Sequence, residues 1–125
     1  RERITLLIDT KDQLSLNLES SGFNDSRLEV VDVIVLADVH NLNLNNCRHI
    51  VDVSALGGVH TLNLESCENL VNVSALGHVH DLDLCYCNNL VDVSALGGVH
   101  TLNLSFCENL VNVSALGHVY DLKLC

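Results

Sequence analysis

Cysteine and histidine recur in this sequence at a fixed interval, and both residue types can bind metals, carry protons or change redox state. Cys47, Cys67, Cys87 and Cys107 are spaced by 20 residues. His40, His60, His80 and His100 keep the same interval, and Tyr120 takes the next place in the row. Imidazole beside carboxylate is a donor set for transition metals, and His78-Val79-His80 with Asp81 or Asp83 offers one. A row of imidazoles would also respond to pH, because stacked rings repel one another once protonated. Against both stands the period itself: duplication copies whatever stood in the first unit. The cysteines suit a buried structural role, as small apolar side chains with a weak donor for nearby backbone. Cys85-Tyr86-Cys87 lacks the spacing of a zinc or thioredoxin motif. By strand parity Cys85 is expected on the open sheet face, which would make Cys85 and Cys125 the reactive thiols.

Other catalytic patterns are absent from the sequence. Ser54, Ser74, Ser94 and Ser114 are copies of one position, and no serine breaks the pattern as a nucleophile would. Gly57-Gly58 and Gly97-Gly98 stand outside any phosphate-loop context. The expectation is a protein that is not an enzyme and needs no cofactor.

These rows belong to a repeated phrase, V-H-x-L-x-L-x-x-C-x-x-L-V-D/N-V-S-A-L-G-G/H. Four units start at Val39, Val59, Val79 and Val99, and a partial fifth at Val119. A longer period lies on top: residues 51–85 match 91–125 except at Glu65/Ser105, Ser66/Phe106, His80/Tyr120 and Asp83/Lys123. Leu62 and Leu64 alternate with Asn63, as on a short strand with one buried face. Twenty residues are too few for a strand, a full helix and two turns, so the return path must be extended or a 3-10 turn. Ser74 is suited to cap that turn, and Gly77 to give the freedom to leave it. Asp52, Asn72, Asp92 and Asn112 can each accept a hydrogen bond from the backbone two residues on. No unit can bury its apolar side alone, so the units must stack and pair their strands in parallel.

The pattern Leu62-x-Leu64-x-x-Cys67, with Val59 before it and Leu70 after it, resembles leucine-rich repeats of the cysteine-containing variety. The V-S-A-L turn resembles internalin-type repeats, and D-V-S-A-L-G arrays are similar to those of large DNA viruses of amoebae. The resemblance covers residues 39–125. It implies a right-handed solenoid, α/β by family convention, with mostly parallel β-strands, short 3-10 turns and little or no α-helix. It also implies a protein-binding scaffold.

Residues 1–38 are expected to form an N-terminal cap and a divergent repeat. Leu14 to Leu18 reads as a degenerate strand, followed by a unit about six residues longer than the others, and Ile4 to Ile8 as a capping strand. The chain stops at Cys125 inside a strand, and an uncovered last unit would favour a homodimer by end-to-end or edge pairing.

The surface expected to bind a partner is the concave strand face with its rims. It carries Asn43, Thr61, Asn63, Glu65, Asp81, Asp83, Cys85, Thr101, Asn103, Ser105, Asp121 and Lys123, edged by Tyr86, Phe106 and Tyr120. The four places where the two 40-residue blocks differ all fall on this face or its edges. Val51, Val71, Val91 and Val111 form another row, either an exposed apolar stripe or part of a wider core. The formal charge is −10, from 16 acids and 6 bases. Nucleic acid and anionic membranes, which need clustered Lys and Arg, are not expected partners. The longest apolar run, Val33 to Ala37, is far short of the roughly 20 residues of a membrane helix. The reading is an intracellular protein with reduced thiols.

Overall fold

The computed structural model describes residues 15–17, 40–48 and 50–125. Its centre is a six-stranded parallel sheet in strict sequence order. The strands are β1 (Ser15–Asn17), β2 (Asn41–Asn43), β3 (Thr61–Asn63), β4 (Asp81–Asp83), β5 (Thr101–Asn103) and β6 (Asp121–Lys123). From β2 to β6 each residue pairs with the one 20 positions later, Leu62 with Leu82 and Leu82 with Leu102. Between β1 and β2 the offset is 26, Leu16 with Leu42, which matches the longer first unit read from the sequence. The expected capping strand at Ile4 to Ile8 and the insertion lie outside the described residues.

Each return path contains a 3-10 turn: Ser54–Leu56, Ser74–Leu76, Ser94–Gly98 and Ser114–Leu116. No α-helix occurs among the described residues. One short parallel strand and one 3-10 turn per 20 residues make this a stack of short parallel-strand units, the architecture that the resemblance to leucine-rich repeats implies.

The core is a set of ladders. Leu62, Leu64, Cys67, Leu70, Val73, Leu76 and Val79 are all buried, and their copies in the neighbouring units continue one apolar cluster. Each column stacks like on like, so a change of volume in one unit is felt by two others. The Val51, Val71 and Val91 side chains are 57%, 54% and 52% exposed, which settles their row as a surface stripe and not a wider core.

Two expectations about the turn are corrected. The serines do not cap it: the residue before each turn is a valine, and no side-chain cap bond is made. The cap is the Asp/Asn row, whose Oδ1 accepts from the serine N–H at 2.9 Å for Asp52 and 3.0 Å for Asn72. Nor does Gly77 supply unusual backbone freedom, since its φ is −63°. It supplies room. A Cβ there would lie 2.6 Å from the carbonyl oxygen of Ala95 in the next unit, and Gly57 and Gly97 meet Ala75 and Ala115 at the same distance.

Asparagine side chains tie units together at the surface. Asn69 Nδ2 donates to the Arg48 carbonyl at 2.7 Å, Asn89 to Glu68 at 2.6 Å, and Asn109 to Asn88 at 2.6 Å. Replacing Asn89 by Ala is expected to cost about 1 kcal/mol, the usual net worth of one such bond. Urea denaturation should show the midpoint falling with an unchanged slope.

Candidate functional site

The outward side chains of the strands line a groove of about 520 Å³ over the sheet. Alternation along each three-residue strand buries the central Leu and leaves its two neighbours half-buried. The groove runs from Asn41 and Asn43 across Thr61, Asn63, Asp81, Asp83, Thr101 and Asn103 to Lys123. Of the residues expected to bind a partner, these strand residues share one surface. Asp121 is exposed at the start of β6, whereas Glu65, Cys85 and Ser105 lie just beyond the strands.

Several of these side chains already have work in the fold. Oδ1 of Asn43, Asn63, Asp83 and Asn103 accepts from the backbone N–H two residues on, at 2.9–3.0 Å. That bond turns the chain out of the strand. It is followed by a residue in the left-handed region: Asn46, Ser66, Tyr86 or Phe106, with φ between 61° and 66°. Asn tolerates this conformation, but a side chain such as Tyr or Phe bears a cost of about 1–2 kcal/mol. Tyr86 and Phe106 nevertheless stand there, 43% and 50% exposed, with rings stacked at 4.6 Å and 5° between planes. The sequence places them at the edge of the face, and the backbone conformation is what aims them. Asn46 was the one residue in that column whose type suggested it.

Asp81 sits at the groove's edge. Burial pushes its carboxyl up, but hydrogen bonds from Thr101 and His80 and the nearby imidazoles outweigh that and hold it below the ordinary carboxylate value. Thr61 Oγ1 donates to its Oδ2 at 3.4 Å.

The histidine row is real in space. His40, His60, His80 and His100 stack with ring centroids 4.5–4.7 Å apart, and Tyr120 continues the stack at 4.8 Å. The metal-ligand pairing expected from the sequence is corrected. Among the described residues the groups that converge are His60, His80 and Asp81, with ligand atoms all within 4.8 Å of one another. His78 and Asp83 are not among them. In a stack of 20-residue units, position i lies closer to i+20 than to its second neighbour along the chain.

The cysteine row faces inward. Cys67, Cys87 and Cys107 donate through Sγ to the carbonyls of Leu44, Leu64 and Leu84 at 3.4, 3.1 and 3.0 Å. Burial pushes the Cys87 thiol up to about 12. Cys85 departs from expectation. It is 8% exposed and buried rather than open on the sheet face. Its short side chain lies beside Glu65 of the preceding unit, and burial, then the Asp83 and Glu65 charges, raise its thiol above the ordinary value. Cys125 is the exposed thiol among the described residues.

No protein-family model matches the chain, and no curated protein matches it. Among solved structures it is similar to the crystal structure of an internalin C2 from Listeria monocytogenes. The identity is 16% and the TM-score 0.31, with 75% of this chain and 74% of that chain covered.

Proposed function

We propose that this chain is a protein-interaction module that engages its partner across the outward face of the parallel sheet. The observation that carries the reading is the groove itself. It draws side chains from β2 to β6 onto one continuous surface. The last residue of β2 to β5 keeps an Asn or Asp for its turn bond, while the first residue of β2 to β6 varies between Asn41, Thr61, Asp81, Thr101 and Asp121 above the same leucine ladder. Two of the differences between the two 40-residue blocks also fall here: Asp83 becomes Lys123 on the face, and His80 becomes Tyr120 at its rim.

The reading is of binding and not catalysis. The repeated serines begin the 3-10 turns, the histidines precede the strands, and no hydrogen bond joins the two sets among the described residues. The carboxylates of Asp81 and Asp83, on the middle of the five strands that line the groove, favour a basic or neutral partner surface over an acidic one.

The test is affinity capture with the double variant Asp81→Lys and Asp83→Asn, the second of which keeps the turn-making Oδ1, beside the unaltered chain. Loss of the captured partners, with circular dichroism unchanged, is the expected result. Retention of every partner would remove this face as the binding site.

A further inference from the structure

We propose that His60, His80 and Asp81 form a binding site for one divalent transition-metal ion of the zinc or nickel type, bridging the starts of β3 and β4. The site shares Asp81 with the proposed partner-binding groove but does not rest on that reading.

The geometry begins with His80 and Asp81. His80 Nδ1 and Asp81 Oδ1 lie 3.1 Å apart. Zinc binds imidazole nitrogen and carboxylate oxygen at about 2.0–2.2 Å, so two neighbouring ligands on one ion stand roughly 3 Å from each other. The hydrogen-bonded pair therefore already has the separation of a chelate, with the metal taking the place of the shared proton. His60 supplies the third donor from the adjacent strand. Its ligand atom lies within 4.8 Å of the other two. The two rings lie stacked at 4.7 Å, so coordination requires the exposed His60 ring to turn out of the stack and away from Thr61 until a ring nitrogen points at the ion. Two imidazoles and one carboxylate suit zinc, nickel, cobalt or copper and do not suit magnesium or calcium, which take all-oxygen sites. Water would fill the remaining positions.

The repeat makes this rung distinct. The residue after each ring of the row is Asn41, Thr61, Asp81, Thr101 and Asp121 in turn. His60 and His100 turn Nδ1 toward threonine hydroxyls, at 3.1 and 3.2 Å, where His80 meets a carboxylate. Asp121 repeats the carboxylate, but its ring is Tyr120 and not histidine. A carboxylate that follows a histidine in the row thus occurs once, at His80-Asp81.

The test is titration of the chain with zinc and with nickel by isothermal calorimetry. It is done in a Cys125→Ser background to keep the exposed thiol out. One equivalent should bind. His60→Gln, His80→Gln and Asp81→Asn should each weaken binding tenfold or more. His40→Gln and His78→Gln should leave it unchanged. Tyr120→His should add a second equivalent by setting His100 and Asp121 about a new imidazole. Far-UV circular dichroism of each variant guards against misfolding. No binding at millimolar metal, equal losses at every histidine, or full affinity in Asp81→Asn would each overturn the proposal.

Discussion

Between pH 9 and pH 12 the folded state is expected to lose about 4 kcal/mol through the thiol of Cys87 alone. Its ordinary value of 9.0 in the unfolded chain rises to about 12 in the core. The main cause is burial, with the sulfur set in the leucine core against the Leu64 carbonyl; a backbone hydrogen bond at Cys67 offsets part of the rise, and the nearby Cys107, Asp83 and Cys85 add to it. Below pH 9 both states hold the proton and stability is complete. Above it the unfolded chain gives the proton up while the native state keeps it, so unfolding gains at every further step. One pH unit of separation is worth about 1.36 kcal/mol, hence the total. That is a large share of the roughly 5–15 kcal/mol that holds a domain folded. Cys107 and Cys85, also raised by burial, add to the same slope. Urea midpoints followed from pH 8 to pH 11 should fall steadily, and Cys87→Ala should flatten the fall even though it lowers the starting stability. An unchanged slope in that variant would mean the thiol is not held as described. Native alkylation at pH 8 should correspondingly label Cys125 and spare Cys67, Cys87 and Cys107 until denaturant is added.

The second large effect is expected from one methyl group. Gly77→Ala should destabilise the chain by several kcal/mol, while Gly117→Ala should be neutral or stabilising by up to about 1 kcal/mol. Both glycines have right-handed helical backbone that alanine adopts freely, with φ of −63° and −60°. The difference is the neighbour. The new Cβ at position 77 meets a backbone oxygen at 2.6 Å, and at position 117 it meets nothing within 4 Å. A backbone oxygen held in a stack cannot swing aside as a side-chain tip would, so the units must separate and their ladders loosen. Thermal unfolding of the two variants side by side reads the contrast. Equal melting temperatures would show that the units yield more easily than the packing implies.

Much of this architecture was legible because each ladder is a single letter repeated at one interval. The alternation Leu62-Asn63-Leu64 named the strand, the interval of 20 named the stacking, and Asp52 and Asn72 named their own hydrogen bonds by residue type. What could not be read were relations between units. Gly77 looked like a hinge because glycine is usually needed for its backbone, whereas here the space belongs to Ala95 one unit away. Cys85 looked open by parity, but in the stack it is buried. His78 looked like the partner of His80, when the stack makes His60 the neighbour. The left-handed backbone at Tyr86 and Phe106 was hidden because neither residue type favours it. Asn69, Asn89 and Asn109 carried a signal, an amide kept in three of the four units (His49 stands in the first) within a variable segment, that points to a bond across units.

The cysteine and asparagine bonds between units share a direction. The Sγ atoms of Cys67, Cys87 and Cys107 and the Nδ2 atoms of Asn69, Asn89 and Asn109 all reach back to a carbonyl of the preceding unit, 23 or 21 residues earlier. The side-chain bonds therefore point one way, whereas the backbone bonds between units point both ways: the N–H groups of His60 and Thr61 reach back to His40, and those of Leu64 and Ser66 reach forward to Asp83 and Cys85. A unit lifted from either end thus leaves backbone groups open behind it, and a unit lifted from the N-terminal side also leaves a thiol and an amide without their acceptors.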